Sequence, residues 1–193
     1  FMRAKFVVTS AESKESLVLD LALCAIDYAR KIGASYADAR LESTVVNGFA
    51  LKNGVPQLAG FDRVQGIGVR VVINSTLGFA STNNISRENI KRVIEKAAKL
   101  TAAAAKIGEK VKLSSARPEV ASYEVKQKIK LADLGPKDKL KVLFDAEKAM
   151  KATKVNVSGR FFSMSDFYTE KYFANTEGSR VLSKIPRTDF WYF

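Results

Sequence analysis

Glycines at positions 66, 68 and 78 flank a run of β-branched residues, and such spacing raises the question of phosphate binding. Glycine-rich loops that bind dinucleotide phosphates follow a strand and open a helix whose N-terminus faces the anion. Here Gly66 and Gly68 precede Val69–Ile73, a run too rich in β-branched residues to begin a helix. Position 71 is not glycine, and no Gly-Lys-Ser/Thr sequence follows. The pattern therefore favours a sheet segment, with glycines at a bulge or a close crossing, over a nucleotide site.

Histidine is absent from the sequence, and the single cysteine is Cys24. Ser–His and Cys–His nucleophiles, histidine general acid–base catalysis and histidine-ligated zinc are therefore excluded for this chain. Carboxylate sites for magnesium or calcium stay possible, although the sequence has no Asp-x-Asp cluster or calcium loop. We predict no catalytic residue, no metal ligand and no cofactor within the chain itself.

Length and composition favour one globular domain over residues 1–193, because 47% of the residues are hydrophobic. No apolar run reaches the roughly 18 residues that span a bilayer, and no signal peptide is evident. A lone cysteine forms no intrachain disulfide, which fits a reducing compartment. We expect a cytoplasmic protein that does not bind membranes.

The formal net charge is +12, and a field of that sign attracts nucleic acid, anionic lipid or an acidic protein. The lysines of two predicted helices lie opposite their apolar stripes, which is typical of a solvated helix face. Nucleic-acid surfaces combine basic residues with stacking aromatic rings, and few aromatics accompany these lysines. We expect nucleic-acid binding that is at most weak and non-specific.

The elements that must position these residues follow from periodicity and turn signals. Helical spacing predicts helices over 13–32, from Ser86 to Gly108, and from Pro136 to Met150, the last with Leu140, Leu143, Phe144 and Met150 on its apolar face. Asn53-Gly54 predicts a two-residue hairpin turn. Alternating or β-branched runs predict strands over 37–41, 45–51, 58–61, 68–73, 77–81, 155–164, 167–174 and 180–185. We predict an α+β fold, with a mostly antiparallel or mixed twisted sheet and three main helices packed on it.

Two features are candidates for an interface. Arg70 is a long cation within a β-branched run, where it is either a solvated residue of the sheet face or an anchor for an acidic partner. Phe190, Trp191, Tyr192 and Phe193 form a run of four aromatics, and period 2 places two of them on each face of a strand. One pair can pack on the chain's own sheet, whereas the other pair needs a cover.

The sequence resembles the N-terminal half of the TldD/PmbA family, once called modulators of DNA gyrase. The similar stretches are DYARKIGASYADARLE (27–42), GIGVRVVINSTLGFAST (66–82), IEKAAKL (94–100) and NTEG (175–178), where the family usually has an Asn-Ser-x-Gly turn. GIGVRV followed by GFA is more similar to the TldD branch than to the PmbA, or TldE, branch. These stretches are structural rather than catalytic, so no catalytic residue is carried over.

The resemblance implies a cytoplasmic zinc metallopeptidase that acts on unfolded peptides as a dimer of two paralogues. Its ligands, an H-E-x-x-x-H motif and a later cysteine, would lie in a half that follows residue 193. The resemblance thus implies a non-catalytic N-terminal domain, inactive alone, that supports the substrate cleft and pairs with a paralogue or a second copy. A basic nucleic-acid-associated module and an intact small protein with another interaction role are the alternatives.

Overall fold

The computed structural model describes residues 10–114 and 116–193, and it contains both helices and strands, as an α+β fold requires. In chain order the elements are α1 (Ser10–Lys31), β1 (Tyr36–Lys52), β2 (Val55–Ile73), β3 (Thr76–Thr82), α2 (Arg87–Ala104), β4 (Val120–Glu124), a 3₁₀ turn (Leu131–Asp133), α3 (Pro136–Ala152), β5 (Phe161–Asn175) and β6 (Arg180–Tyr192). The predicted fold class and the three main helices are confirmed.

The strands form one six-stranded sheet in the order β3-β2-β1-β5-β6-β4. β2 pairs with β3 antiparallel, from Ile67 opposite Thr82 to Ile73 opposite Thr76. β4 instead runs parallel to β6, since the hydrogen bonds from Arg180 to Glu119 and from Val125 to Lys184 advance in the same direction along both. The sheet is therefore mixed.

Two tight turns connect the first three strands. Asn53 and Gly54, with φ of 49° and 82°, join β1 to β2 as the sequence predicts. Asn74 and Ser75 also have positive φ, of 51° and 62°, between β2 and β3. The glycine-flanked run is thus one hairpin, and the interpretation as a sheet segment is confirmed.

The strand boundaries differ from the sequence expectation in several places. β1 and β2 are each continuous, because the polar residues 42–44 in β1 and the polar residues and Gly66 between 62 and 67 in β2 interrupt the apolar pattern without ending the strand. β4 was not predicted, since most of its side chains are exposed and show no apolar alternation. No strand covers residues 155–160. β5 begins only at Phe161 and continues to Asn175, so it joins two predicted strands, and β6 extends past the predicted 180–185 to Tyr192.

The chain forms two compact units. The first comprises the residues up to Glu42, Gln65–Ser122 and Lys171–Leu182, and the second comprises Ser43–Val64, Tyr123–Glu170 and Ser183–Phe193. The expectation of a single domain over residues 1–193 stays a prediction.

In the first unit, α1 and α2 cover one face of the strands. Ala37, Ala39, Val69 and Val71 are fully buried on that face, as strand alternation requires. α2 begins after Ser86, where the predicted helix starts, and the Ser86 hydroxyl caps it by accepting a hydrogen bond from the backbone N–H of Asn89. It also buries Ile90, Val93, Ile94 and Ala97, whose helical spacing places them on one face.

The second unit has a smaller core, formed by Phe49, Leu51, Leu143, Phe162 and Met164. α3 buries Lys139 and Glu147 in addition to Leu143. Phe144 is 42% exposed, so its predicted place on the apolar face is wrong. These ionic side chains face inward because Asp166 on β5 pairs with Lys139, and Arg160, just before β5, pairs with Glu147; helical spacing alone does not reveal these partners.

Candidate interface surfaces

Arg70 lies in a cluster of polar side chains on the face of β1 and β2 opposite to the helices. Since Ala37 and Ala39 face α1 and α2, alternation directs Asp38 to the other face, together with Arg70 of β2. The Arg70 Nε lies 2.9 Å from Asp38 Oδ2 and 3.2 Å from Oδ1, and its Nη2 also donates to Oδ2. The guanidinium thus binds the carboxylate through two of its nitrogens.

Asp38 is the buried centre of this cluster, because its side chain is only 1% exposed while that of Arg70 is 38% exposed. Tyr36 donates its hydroxyl to Asp38 Oδ2 at 3.1 Å, and Arg40 Nε lies 3.8 Å from Oδ1. Burial, followed by the negative charge of Asp38, raises the pKa of Tyr36, so the phenol stays a neutral donor. The hydrogen bond to Asp38 likewise raises the pKa of Arg70.

Aromatic side chains flank this cluster. Phe79 pairs with Arg70 across the β2–β3 ladder and is 54% exposed. Its ring covers Gly68, where an added Cβ would lie 3.1 Å from the ring. The Arg40 guanidinium lies 5.6 Å from the centroid of the Phe173 ring. This face of the first unit therefore presents arginines and aromatic rings, together with Lys171, whose Nζ lies 3.0 Å from Glu42 Oε2.

Sequence reasoning selected Arg70 but missed Asp38 and Tyr36. The signal was present, because Asp38 alternates with Ala37, Ala39 and Leu41 and so had to lie opposite the buried residues. The sequence alone does not reveal that β1 pairs with β2 in the register that places Asp38 beside Arg70. Arg70 as an anchor for an acidic partner stays a prediction.

The four predicted aromatics lie at the end of β6, in the second unit. Phe193 and Phe161 exchange both backbone hydrogen bonds, at 2.8 and 2.9 Å, which pairs the end of β6 with the start of β5. The exposed fractions are 44% for Phe190, 57% for Trp191, 71% for Tyr192 and 86% for Phe193. The run is thus strand to its last residues, yet most of its aromatic surface is in contact with solvent.

The aromatic contacts follow strand alternation. Trp191 packs edge-on against Phe161 at 5.8 Å between ring centroids, and it stacks on Phe193 at 6.3 Å. Phe190 instead lies 6.4 Å from Phe162, a member of the core beneath α3. Trp191 and Phe193 therefore share one face, and Phe190 lies on the other. Arg70 and this aromatic run belong to different units of the chain.

The described residues offer no group of three or more His, Cys, Asp or Glu side chains that could hold a metal ion. Within the same residues, none of the helices has the length and apolar character needed to cross a membrane.

Comparisons with known proteins place both halves of the chain in one family. Residues 37–101 match the family model described as PmbA/TldA metallopeptidase domain 1, and residues 129–192 match the PmbA/TldA metallopeptidase central domain. A metalloprotease of Methanocaldococcus jannaschii is 29% identical over 153 residues, which are 79% of this chain and 34% of that relative. The chain thus spans about a third of the length of this curated relative.

Two solved structures share the fold. A Bacteroides thetaiotaomicron protein described as a candidate modulator of DNA gyrase has a TM-score of 0.64 at 19% identity, over 96% of this chain and 45% of its own. TldE of Thermococcus kodakarensis has a TM-score of 0.65 at 17% identity, over 89% of this chain and 42% of its own. With family models matching on both sides of residue 115, the chain belongs to the PmbA/TldD metallopeptidase family.

Proposed function

We propose that this chain is a non-catalytic part of a PmbA/TldD metallopeptidase, in which it supports the substrate cleft and the assembly of subunits. The observation that carries the proposal is that its two halves match domain 1 and the central domain of the family. The peptidase reaction, on unfolded peptides, belongs to the full-length protein.

The donor set of the chain does not fit a catalytic zinc ion. Such sites hold zinc through three protein ligands, most often nitrogen or sulfur donors. The sequence has no histidine and one cysteine, and the described residues cluster no three possible ligands. No step of peptide hydrolysis is therefore assigned to side chains of this chain.

The ionic cluster of the first unit suits a scaffold. The contact between Arg70 and Asp38 joins neighbouring strands through a carboxylate that is almost fully buried. A buried ion pair whose hydrogen bonds are satisfied fixes the relative position of the two elements that carry it. We infer that it keeps this end of the sheet rigid while substrate binds elsewhere in the full-length protein.

Metal content and peptidase activity test the proposal. The chain and a longer protein that contains it are dialysed, their zinc is measured, and each is incubated with an unfolded peptide. We expect cleavage by the longer protein only, abolished by a chelator and restored by zinc. One tightly bound zinc per chain, or cleavage by the chain alone, would contradict a non-catalytic role.

A nucleic-acid-associated module is the alternative function, favoured by the net charge of +12 and by the description of one structural neighbour as a candidate gyrase modulator. Binding through phosphates weakens steeply with salt, because it depends on released counterions. We expect affinity for a random duplex to be lost near physiological salt. Sequence-selective binding that survives such salt would favour this alternative.

A further inference from the structure

We propose that the outer edge of β6, from Pro186 to Phe190, pairs antiparallel with the same edge of a second copy of this chain. The inference rests on the assembly role proposed above, and it names the surface and the partner. It begins from the hydrogen-bonding pattern of β6 itself. Phe193 and Phe161 exchange both of their backbone bonds, so the odd-numbered residues of β6 direct their N–H and C=O groups toward β5.

The even-numbered residues of β6 direct their backbone N–H and C=O groups away from β5. Arg180 donates there to Glu119, and Lys184 accepts there from Val125, at the two ends of β4. β4 is the last strand on that side of the sheet in the part of the chain that the structure describes, and it ends at Glu124. Beyond Lys184, none of the residues that the structure describes pairs with this edge of β6.

This edge of β6 has backbone groups left free by the described residues, and exposed side chains, that suit pairing with another strand. The outward backbone groups are those of Thr188, Phe190 and Tyr192, together with the carbonyl of Pro186, which lacks an N–H. Every residue from Arg187 to Phe193 is exposed, including the aromatic side chains. Exposed edge strands with apolar side chains readily add another strand, and natural proteins usually block them with charged side chains, proline, bulges or a cover. Here the single proline removes one donor, and the charges of Arg187 and Asp189 are of opposite sign.

The sequence of the edge is complementary to itself in one register. A two-fold axis at Thr188 places Arg187 opposite Asp189 of the partner subunit, and this pair occurs on both sides of the axis. The Thr188 N–H and C=O groups bond to those of the partner's Thr188, and the Phe190 N–H reaches the carbonyl of the partner's Pro186. The missing N–H of Pro186 is thus the only group lost within this overlap.

Neighbouring registers lack this charge match. An axis at Asp189 places two carboxylates directly opposite each other, and an axis at Phe190 places Asp189 opposite the indole of the partner's Trp191. Opposite charges across a ladder are favourable and like charges are unfavourable. The charges therefore select the register centred on Thr188, and they identify the occupant as a second copy of this chain.

Charge reversal tests this pairing. Sedimentation equilibrium measures self-association of the unchanged chain, Asp189→Arg, Arg187→Asp and the double swap R187D/D189R. Each single variant places like charges opposite each other in a homodimer, so we expect its association constant to fall about tenfold or more. The double swap restores both opposite-charge pairs and should associate as the unchanged chain does.

A mixture supplies the matched control. When Asp189→Arg and Arg187→Asp are combined, each cross-pair again joins opposite charges, so heterodimers should form at the strength of the unchanged homodimer. This rescue also shows that the single variants are folded. A monomeric unchanged chain, self-association indifferent to the swaps, or a mixture that does not associate would each overturn the proposal. None of these results bears on the peptidase test of the longer protein.

Discussion

At the scale of single residues, the environment of Arg70 depends on one buried carboxylate. A basic residue within a β-branched run is equally compatible with solvent exposure and with a partner in another protein. Asp38, almost fully buried beside it, supplies the partner within the chain. The cost of desolvating Asp38 is offset only while Arg70 and Tyr36 donate to it.

We predict that Arg70→Ala destabilises the chain by about 2–3 kcal/mol, less than the roughly 3–5 kcal/mol of a fully buried broken pair because Arg70 is partly exposed. Thermal and urea unfolding measure this loss. The double variant R70L/D38L should recover a large part of it, since no charge is then left buried without a partner. Arg40→Ala is the matched control, because Arg40 is 62% exposed and 3.8 Å from Asp38. Equal losses for Arg70→Ala and Arg40→Ala would contradict this account.

At the scale of elements, the packing of α2 on β3 depends on Gly78. A Cβ at this position would overlap the hydroxyl of Thr101 and lie 2.5 Å from the carbonyl oxygen of Ala97. Thr101 in turn donates to Ala97 O at 2.8 Å, so the crowding group is fixed in place. Glycine at position 78 lets the backbone of β3 lie close to α2. The sequence predicted such a close crossing, or a bulge, at the glycines 66, 68 and 78.

We predict that Gly78→Ala destabilises the chain by about 2–3 kcal/mol through overpacking. Gly60→Ala in β2 is the control, because no atom lies within 4 Å of a Cβ built there. That change should leave stability within about 0.5 kcal/mol or raise it. Denaturant midpoints of the two variants provide the comparison, and equal midpoints would show that the contact between α2 and β3 yields easily.

A second contact between elements joins α3 to the segment before β5, and it makes the free energy of unfolding depend on pH. Glu147 is 5% exposed and accepts hydrogen bonds from the Arg160 Nε at 3.0 and 3.1 Å. These bonds from Arg160, and then Lys151, lower the pKa of Glu147 below its ordinary value. The unfolded chain therefore binds this proton at a higher pH than the folded chain does.

We predict that the stability contributed by Glu147 is present above its ordinary pKa of about 4.3 and is lost as pH falls through the lowered folded value. Glu147→Gln should therefore flatten the decline of the unfolding free energy below about pH 5. Asp145→Asn removes a carboxylate that is 60% exposed on the same helix, and it should change this decline little. Urea unfolding from pH 3 to pH 7 measures the slopes, and parallel slopes for Glu147→Gln and the unchanged chain would refute the assignment.

At the scale of the whole molecule, the aromatic end of β6 adds little to the chain's own core. Phe162 is buried beneath α3, whereas Trp191 and Phe193 lie on the face away from that contact and are more than half exposed. Each large apolar side chain left in water forgoes roughly 1.5–3 kcal/mol of burial. A partner surface that covers them would recover part of this free energy.

We predict that replacing Trp191 and Phe193 together with Ser raises solubility and weakens self-association, with little effect on melting temperature. Light scattering and thermal unfolding check the two effects separately. Phe162→Ser is the contrasting variant, since that ring is 8% exposed and its loss should lower the melting temperature strongly. If the double Ser variant unfolds as readily as Phe162→Ser, the aromatic end is ordinary core.

The sequence by itself determined the helices, among them the start of α2 at Ser86, the Asn53-Gly54 turn and the α+β class, because propensity, periodicity and turn chemistry act over a few residues. It also excluded histidine chemistry outright. Only the tertiary structure decided that Asp38 meets Arg70, that Lys139 and Glu147 are buried while Phe144 is exposed, and that no described residue pairs with the outer edge of β6 past Lys184. Each of these depends on strand order and register between residues far apart in sequence, and no local pattern encodes which distant strand supplies the partner.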